Sequence, residues 1–551
     1  MKIRIIYTSG GIMRTKISAI FIFLILSLIF TGFIMGNKKE SKETGKSKPC
    51  IKKGKFDEFT INEFQEEMKN GNLTSVELTK YYLERINAID KNGPNLNSVI
   101  EINPDAIKIA EKLDIERKQK GPRSKLHGIP IMIKANIDTK DSMETTAGSM
   151  ALKGNIASKD AFIVKKLRKA GAVILGKTNL SEWANFRSTR SSSGWCSIGG
   201  LTKNPYALDR NTSGSSSGSA AAVSGNLCAV AIGTETDGSV VSPSSTTGIV
   251  GIKPSLGLAS RTGIIPIAHS QDTAGSMART VEDAAILLDL ISGYDSADPI
   301  TKTFKTNNKG YQKFLDKNGL KGARIGVARN YFGFHEKVDQ LMEESIKIMK
   351  SQGALIIEAT NIKTPKNFGD LEFEVLLYEF KSDLNKYLKN IDPKIKICSL
   401  KDIIEFNKKN MNKVMPYFRQ ELLIMAQEKG TLLDEKYIKA LKESKEMAGK
   451  SGIDATMDKY NLDAIIAPTN GPAWKTDLIN GDHYSGGCSS EVAVAGYPHI
   501  TVPAGYVHGL PIGISFIGRN FSEGILIKIA YAYEKATQFR KPPKFKEKIE
   551  K

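Results

Sequence analysis

The stretch 213–243, SGSSSGSAAAVSGNLCAVAIGTETDGSVVSP, decides the fold. Its Ser/Gly-rich turn leads directly into an alanine-rich helix, and the apolar run 228–233 then indicates a buried strand that ends in a polar turn containing Ser239. A flexible Ser/Gly linker is the alternative for the first turn, but the helix and strand that follow at once argue against it. This order of elements predicts an α/β fold with a largely buried sheet.

The same alternation continues on both sides of this stretch. The runs predicted as strands are 171–176, 463–467, 500–503 and 512–517, and the segments predicted as helices are 74–86, 161–170 and 522–537.

The N-terminus differs sharply from the rest of the chain. Residues 17–36 are an uncharged run rich in Ile, Leu and Phe, and Arg14 and Lys16 precede it. We therefore predict that residues 1–36 are a signal peptide or an N-terminal membrane anchor, and that residues 37–55 are a flexible polar linker. The prediction implies a body that is secreted or membrane-anchored, outside the cytoplasm.

Residues 56–540 have the pattern of a globular body, in which about 300–460 is predicted as a helical insertion that covers one side of the site. The formal charge of +20 does not mark a nucleic-acid-binding protein. Residues 1–50 carry nine Lys/Arg against two Glu, and residues 540–551 carry six against two. More than half of the excess positive charge therefore lies at the two ends of the chain. We predict that 541–551 is a solvated basic tail and that nucleic acid is not a partner.

Lys134 is the first candidate for chemistry, because it ends the apolar run 129–133. A buried ammonium is costly, so such a lysine tends to pair or to lose its proton, and a neutral lysine is a competent base. On this stretch alone, a lysine that leaves a strand end for solvent is the favoured interpretation.

The turn 234–239 is the second candidate, because an apolar strand runs into a Gly-containing turn that ends in Ser239. That geometry can present a hydroxyl beside consecutive backbone N–H groups, which would form an oxyanion hole. An ordinary strand-to-loop turn is the alternative. The five cysteines form no Cys-x-x-Cys pair and have no His cluster beside them, so we predict no metal.

Taken together, these stretches resemble the amidase signature family over about residues 56–540. The segments that carry the resemblance are 127–136, 176–185, 213–223, 233–243, 251–254, 270–275 and 495–498. The resemblance implies a central, mostly buried mixed β-sheet flanked by helices on both faces.

The resemblance also implies a Ser–cis-Ser–Lys triad and a hydrolase of linear amides that needs no cofactor. Ser239 would attack the amide carbonyl, Ser215 would relay the proton after a cis bond from Gly214, and Lys134 would accept it. The implied oxyanion hole consists of backbone N–H groups of Thr236, Asp237, Gly238 and Ser239.

Asp237 departs from the glycine found in many members of the family. The Thr-Asp-Gly-Ser variant at 236–239 looks similar to the peptide amidase branch, which removes the C-terminal amide of peptides. Trp183 and Phe186 are candidates to line the substrate pocket, although packing is the expected role of each. The exact amide, the oligomeric state and any cysteine pairing cannot be derived from the sequence.

Three alternatives remain at this point. Residues 214–218 match the Gly-x-Ser-x-Gly nucleophile elbow, which would make Ser216 the nucleophile but needs a strand before it. A second alternative is the amidotransferase component that acts on glutamyl-tRNA together with partner subunits. The third is an inactive, membrane-tethered binding relative.

Overall fold

The computed structural model describes residues 54–304 and 310–549. Its strands are β1 Val99–Ile102, β2 Pro130–Lys134, β3 Val173–Thr178, β4 Trp195–Cys196, β5 Gly200–Leu201, β6 Val230–Glu235, β7 Val250–Lys253, β8 Thr273–Ala278, β9 Arg324–Val327, β10 Leu355–Ile357, β11 Ala464–Pro468, β12 His499–Val507 and β13 Leu510–Ile517.

The α-helices alternate with these strands along the chain. They are α1 Ile61–Lys69, α2 Ser75–Arg85, α3 Ala106–Lys120, α4 Phe162–Lys169, α5 Ser217–Ser224, α6 Val241–Thr246, α7 Val281–Ile291, α8 Glu336–Ser351, α9 Phe368–Leu388, α10 Leu400–Lys409, α11 Met411–Val414, α12 Glu421–Gln427, α13 Glu435–Ala448, α14 Ala455–Tyr460, α15 Ser490–Ala495 and α16 Glu523–Thr537. Helix α2 begins with a capping box, since Thr74 and Glu77 bond reciprocally.

Eleven strands form one mixed sheet in the order β1-β3-β2-β6-β8-β7-β12-β13-β11-β9-β10. The pairs β3/β2 and β2/β6 are parallel, whereas β6/β8, β8/β7 and β7/β12 are antiparallel. Every residue of the central strands β2, β3 and β6 is buried, so both faces of the sheet are covered there. The predicted α/β class with a mixed, buried sheet between helices is confirmed.

The segment 300–460 contributes more than helices. Its strand β9 pairs in parallel with β11, and β10 extends the same edge of the sheet. The short apolar stretch Arg324–Val327 is buried over its last three residues, which explains why it joins the sheet. Helix α9 follows these strands and brings Glu372 toward the site described below.

The end of the chain was predicted as a solvated tail, but its described part packs on the body. The backbone N–H of Phe545 donates to the carbonyl of Pro205, and that of Leu208 donates to Lys546. The Phe545 ring packs against the main core, which explains the attachment. The lysines supply charge, but the apolar side chains between them hold this segment in place.

The predicted signal peptide or anchor at 1–36, and most of the predicted linker, lie outside the described residues. Across 54–304 and 310–549, none of the helices combines the length and the apolar character that a membrane crossing needs. The four cysteines in these ranges carry free thiols; they are Cys196, Cys228, Cys398 and Cys488.

Candidate active site

Lys134 is the last residue of β2 and is fully buried. Its Nζ lies 2.7 Å from the Ser215 hydroxyl, 3.1 Å from the Ser216 hydroxyl, and 2.9 Å from Thr234 Oγ1. The Thr234 carbonyl accepts from the same nitrogen at 3.3 Å. The interpretation that Lys134 faces solvent is therefore wrong, because strand β6 and the start of α5 close over the end of β2.

Burial controls the charge of this lysine. It lowers the pKa of Lys134 from its usual 10.5 to about 7, although the carboxyl groups of Asp272 and Glu235 act in the opposite direction. The contacts of the amine itself are hydroxyls and a carbonyl, and none is a carboxylate. A substantial neutral fraction near pH 7 follows, which is the form that can accept a proton.

Ser215 is fully buried and follows a cis peptide bond from Gly214. Its backbone carbonyl accepts from the N–H of Ser181, which anchors this turn to the segment after β3. Two residues later α5 begins, so the sharp Ser/Gly turn delivers the Ser215 hydroxyl to the end of β2. The structure thus brings Lys134 and Ser215 into direct contact.

Ser216 has its hydroxyl proton committed elsewhere. The hydroxyl donates to the Thr234 carbonyl at 3.0 Å and accepts from Lys134 and from the Thr234 N–H. No strand lies directly before Ser216, since the last strand before it, β5, ends at Leu201. The nucleophile-elbow alternative with Ser216 is therefore wrong.

Ser239 lies in the turn after β6 and is 7% exposed. Its backbone carbonyl accepts from the N–H of Ser216 at 3.2 Å, so this turn is tied to the turn that carries Ser215. Within the described residues the Ser239 hydroxyl makes no hydrogen bond. The backbone bond therefore places the turn of Ser239 next to the turn of Ser215, and the Ser239 hydroxyl keeps its bonding capacity unused.

The backbone N–H groups of the turn 236–239 also remain unused. No described residue accepts from the N–H of Thr236, Asp237, Gly238 or Ser239, whereas the next two N–H groups, of Val240 and Val241, donate to the Glu235 carboxylate.

Gly238 has φ +73°, and a Cβ there would lie 3.0 Å from Ser489 Oγ, so only glycine suits this turn. Glu235 was not predicted as a functional residue, although a carboxylate that opens a Gly-containing turn is a recognisable sequence signal.

A pocket of about 780 Å³ opens beside these turns and includes Gly214 and Gly238 in its lining. Trp183 and Phe186 do not line it; they pack in a second core cluster, where Phe186 contacts Phe380 at 4.9 Å between ring centroids. The aromatic side chains singled out from the sequence are packing residues, as the simpler interpretation held.

One group of potential metal ligands occurs among the described residues, namely His269, Glu379 and Asp383. Hydrogen bonds already use these side chains: His269 Nδ1 lies 2.8 Å from Asp383, and Glu379 accepts from the Ser270 N–H and the Tyr437 hydroxyl. The group makes no contact with Lys134.

Comparison with known proteins agrees with this geometry. A family model described as Amidase matches residues 77–527. A probable amidase of Arabidopsis thaliana is 44% identical over 499 residues, which cover 89% of this chain and 92% of that protein. The crystal structure of native peptide amidase from Stenotrophomonas maltophilia superposes with a TM-score of 0.84 at 45% identity, over 89% of this chain and 99% of that one.

The glutamyl-tRNA(Gln) amidotransferase of Thermoanaerobacter pseudethanolicus has a similar component, at 35% identity over 88% of this chain and 98% of that protein. The family match covers most of the chain, and the amidase relatives share more of its sequence than this amidotransferase component does. The chain therefore belongs to the amidase family and is a hydrolase that acts on carbon–nitrogen bonds in amides.

Proposed function

We propose that this hydrolase works through an acyl-enzyme on Ser239, with Ser215 as proton relay and neutral Lys134 as base. The observation that carries the proposal is the buried contact of 2.7 Å between Lys134 Nζ and the Ser215 hydroxyl. A neutral amine has two N–H groups and one lone pair. Three oxygens, namely the Thr234 carbonyl, Thr234 Oγ1 and the Ser216 oxygen, are available to accept the two N–H groups, because Ser216 spends its own proton on Thr234. The lone pair is then directed at Ser215.

The steps follow from this arrangement. Ser239 attacks the amide carbonyl while its proton passes to Ser215 and the proton of Ser215 passes to Lys134. The unused N–H groups of the turn 236–239 stabilise the oxyanion. When the intermediate collapses, the proton returns through Ser215 to the leaving nitrogen, and water then hydrolyses the ester on Ser239 by the same relay.

We further propose that the substrates are C-terminal amides of peptides. The similarity to a peptide amidase supports this choice. A pocket of about 780 Å³ is large enough for a segment of more than one residue, because ligand pockets of this order hold drug-sized molecules. A primary amide releases only ammonia, so the pocket would hold the acyl portion.

A panel of amides tests the substrate class. It contains N-acetylated dipeptide amides, the same dipeptides as anilides, a long-chain fatty amide and free glutamine, with ammonia or aniline release as the readout. We expect the peptide amides to give the highest kcat/KM. Preferential hydrolysis of glutamine would contradict the proposal and favour an amidotransferase-type activity.

We also propose that the body is exported or held at a membrane. The uncharged run 17–36 behind Arg14 and Lys16 supports this location. Fractionation of cells that express the full chain tests the proposal, and full-length protein in the cytosol would contradict it.

A further inference from the structure

The pocket beside Ser239 is acidic, although the chain carries a formal charge of +20. Four carboxyl side chains line it, namely Asp237, Glu372, Asp482 and Glu491, and the lining includes no Lys, Arg or His. Within the described ranges none of the four forms a salt bridge. The protein thus gathers carboxyl groups in a pocket beside the turn that carries Ser239, and no basic side chain lines this pocket.

Asp482 has both of its carboxylate oxygens occupied by the protein, and Glu491 has one of its two occupied. Both oxygens of Asp482 are used, by Ser193 and by the Trp474 indole N–H. Glu491 accepts from the Thr364 hydroxyl. These two groups help to build the walls of the pocket.

Asp237 and Glu372 each keep an oxygen without a hydrogen-bond partner among the described residues. Oδ2 of Asp237 accepts from Ser490 at 2.7 Å, but its Oδ1 is buried and has no hydrogen-bond partner among the described residues. Glu372 is 7% exposed; its Oε1 accepts from Gln271 at 2.9 Å, and its Oε2 makes no hydrogen bond to a described residue. A buried acceptor without a donor, such as Asp237 Oδ1, is costly, which favours a donor that comes from a ligand.

Burial makes ionisation of these two carboxyl groups costly in the free protein, and a cation bound beside them would favour their ionised form. Burial raises the pKa of Glu372 well above its usual range, and the Asp237 charge raises it further. Burial likewise raises the pKa of Asp237, and Glu491 adds to the effect. Lys253 opposes this shift for Asp237, but its ammonium donates to the Pro254 carbonyl and does not line the pocket.

The position of the pair relates it to the reaction. Asp237 lies two residues before Ser239, and its own N–H belongs to the turn that faces the developing oxyanion. An ionised carboxylate there would oppose negative charge on the intermediate unless a cation is bound beside it. The cation must belong to the acyl portion, because a primary amide has no other part that remains in the pocket.

We propose that the pocket selects amides whose acyl portion carries an ammonium or guanidinium group, and that Asp237 and Glu372 bind this cation. The inference rests on the proposed hydrolysis at Ser239 and adds the substrate class. It also gives a role to Asp237, at which this chain departs from the glycine of many relatives. The cation is located either on a side chain or at the free α-amino group of the substrate.

Matched substrates distinguish these sources and test the proposal. N-acetyl-lysinamide is compared with N-acetyl-norleucinamide, which lacks only the side-chain ammonium, and leucinamide is compared with N-acetyl-leucinamide. In one of the two pairs, we expect the kcat/KM of the cationic amide to exceed that of the neutral amide by about tenfold or more. This factor corresponds to one hydrogen bond to a charged group. The pair that shows the preference identifies the position of the cation.

Glu372→Gln should bring the ratio of kcat/KM for the cationic amide to kcat/KM for the neutral amide toward one. Glu374→Gln is the matched control, because Glu374 lies on the same helix but pairs with Lys429 and Lys436 instead of lining the pocket, so the ratio should stay at its wild-type value.

Equal or faster hydrolysis of both neutral amides by the wild type would overturn the inference and leave the proposed function intact. An unchanged ratio in Glu372→Gln would overturn the assignment of the site. If folded wild type hydrolyses neither these four amides nor the N-acetylated dipeptide amides, the proposed function fails, and the inference fails with it; hydrolysis of the dipeptide amides alone would overturn only the inference.

Discussion

Two buried lysines occupy neighbouring strands of the same sheet, and only one of them has the surroundings of a base. Lys134 ends β2, and Lys177 lies near the end of β3. Because the register pairs Lys134 with Thr178 and Ile133 with Lys177, the two side chains point to opposite faces. Both are fully buried, and burial lowers both pKa values, to about 7 for Lys134 and about 8 for Lys177.

The partners of the two amines differ. Lys177 Nζ donates to the Ile137 carbonyl at 2.5 Å and to the Thr145 hydroxyl at 3.0 Å, and that hydroxyl itself points to the Ile137 carbonyl at 3.4 Å. Lys134 instead meets Ser215, whose proton no other described acceptor uses. A lowered pKa therefore does not by itself mark a catalytic lysine, and the proposed role of Lys134 also depends on a neighbouring hydroxyl that can give up its proton.

The largest loss of activity is expected when the proposed nucleophile Ser239 is removed. We expect Ser239→Ala to lower amide turnover by about ten-thousandfold or more, because no other described hydroxyl combines a place beside the pocket with the Lys134 relay. Ser244→Ala is the control, since that hydroxyl only donates to the Val240 carbonyl within α6. Steady-state ammonia release measures both; comparable rates for the two variants would refute the assignment.

Loss of the base or the relay should have the next largest effect. Lys134→Ala and Ser215→Ala should each lower kcat by on the order of a hundredfold or more, as for the removal of a general base. The double variant should be little slower than the slower single variant, because the residues act as one unit. Fully additive losses in free energy of activation would show that the two act independently.

The acidic limb of the pH profile should distinguish Lys134 from Lys177 as the base. Lys134 must be neutral to accept a proton, so kcat/KM should fall about tenfold per pH unit below its pKa of about 7 and level off above it. Lys177→Met should keep the same limb, since Lys177 makes no contact with the hydroxyl cluster. An acidic limb that is flat from pH 7 to 5 would contradict a neutral lysine base.

The smallest effect on turnover is expected for Lys177→Met itself. Its kcat should stay within about threefold of wild type, whereas the free energy of unfolding should fall by about 1–3 kcal/mol, because buried acceptors lose their donor. Urea denaturation measures the stability of the variant. A hundredfold loss of kcat in a folded Lys177→Met protein would remove the distinction between the two lysines.

The sequence predicted β3 and β6 because their apolar runs are continuous, whereas β8, with the sequence TAGSMA, has no such run and was not predicted. It also predicted that Lys134 and Ser215 belong together, but only through a family resemblance, since the two are separated by 81 positions. The commitment of the Ser216 proton to Thr234 depends on three-dimensional register, which no local pattern specifies. The acidic pair of Asp237 and Glu372 joins segments 135 positions apart in the same way.

Active-site labelling tests the central claim most directly. The protein is treated with a fluorophosphonate, digested, and the modified residue is identified by mass spectrometry. We predict a single adduct on Ser239, formed at a rate that drops strongly in Lys134→Ala and Ser215→Ala. An adduct on Ser215 or Ser216, or labelling of Ser239 that is indifferent to the loss of Lys134, would contradict the account.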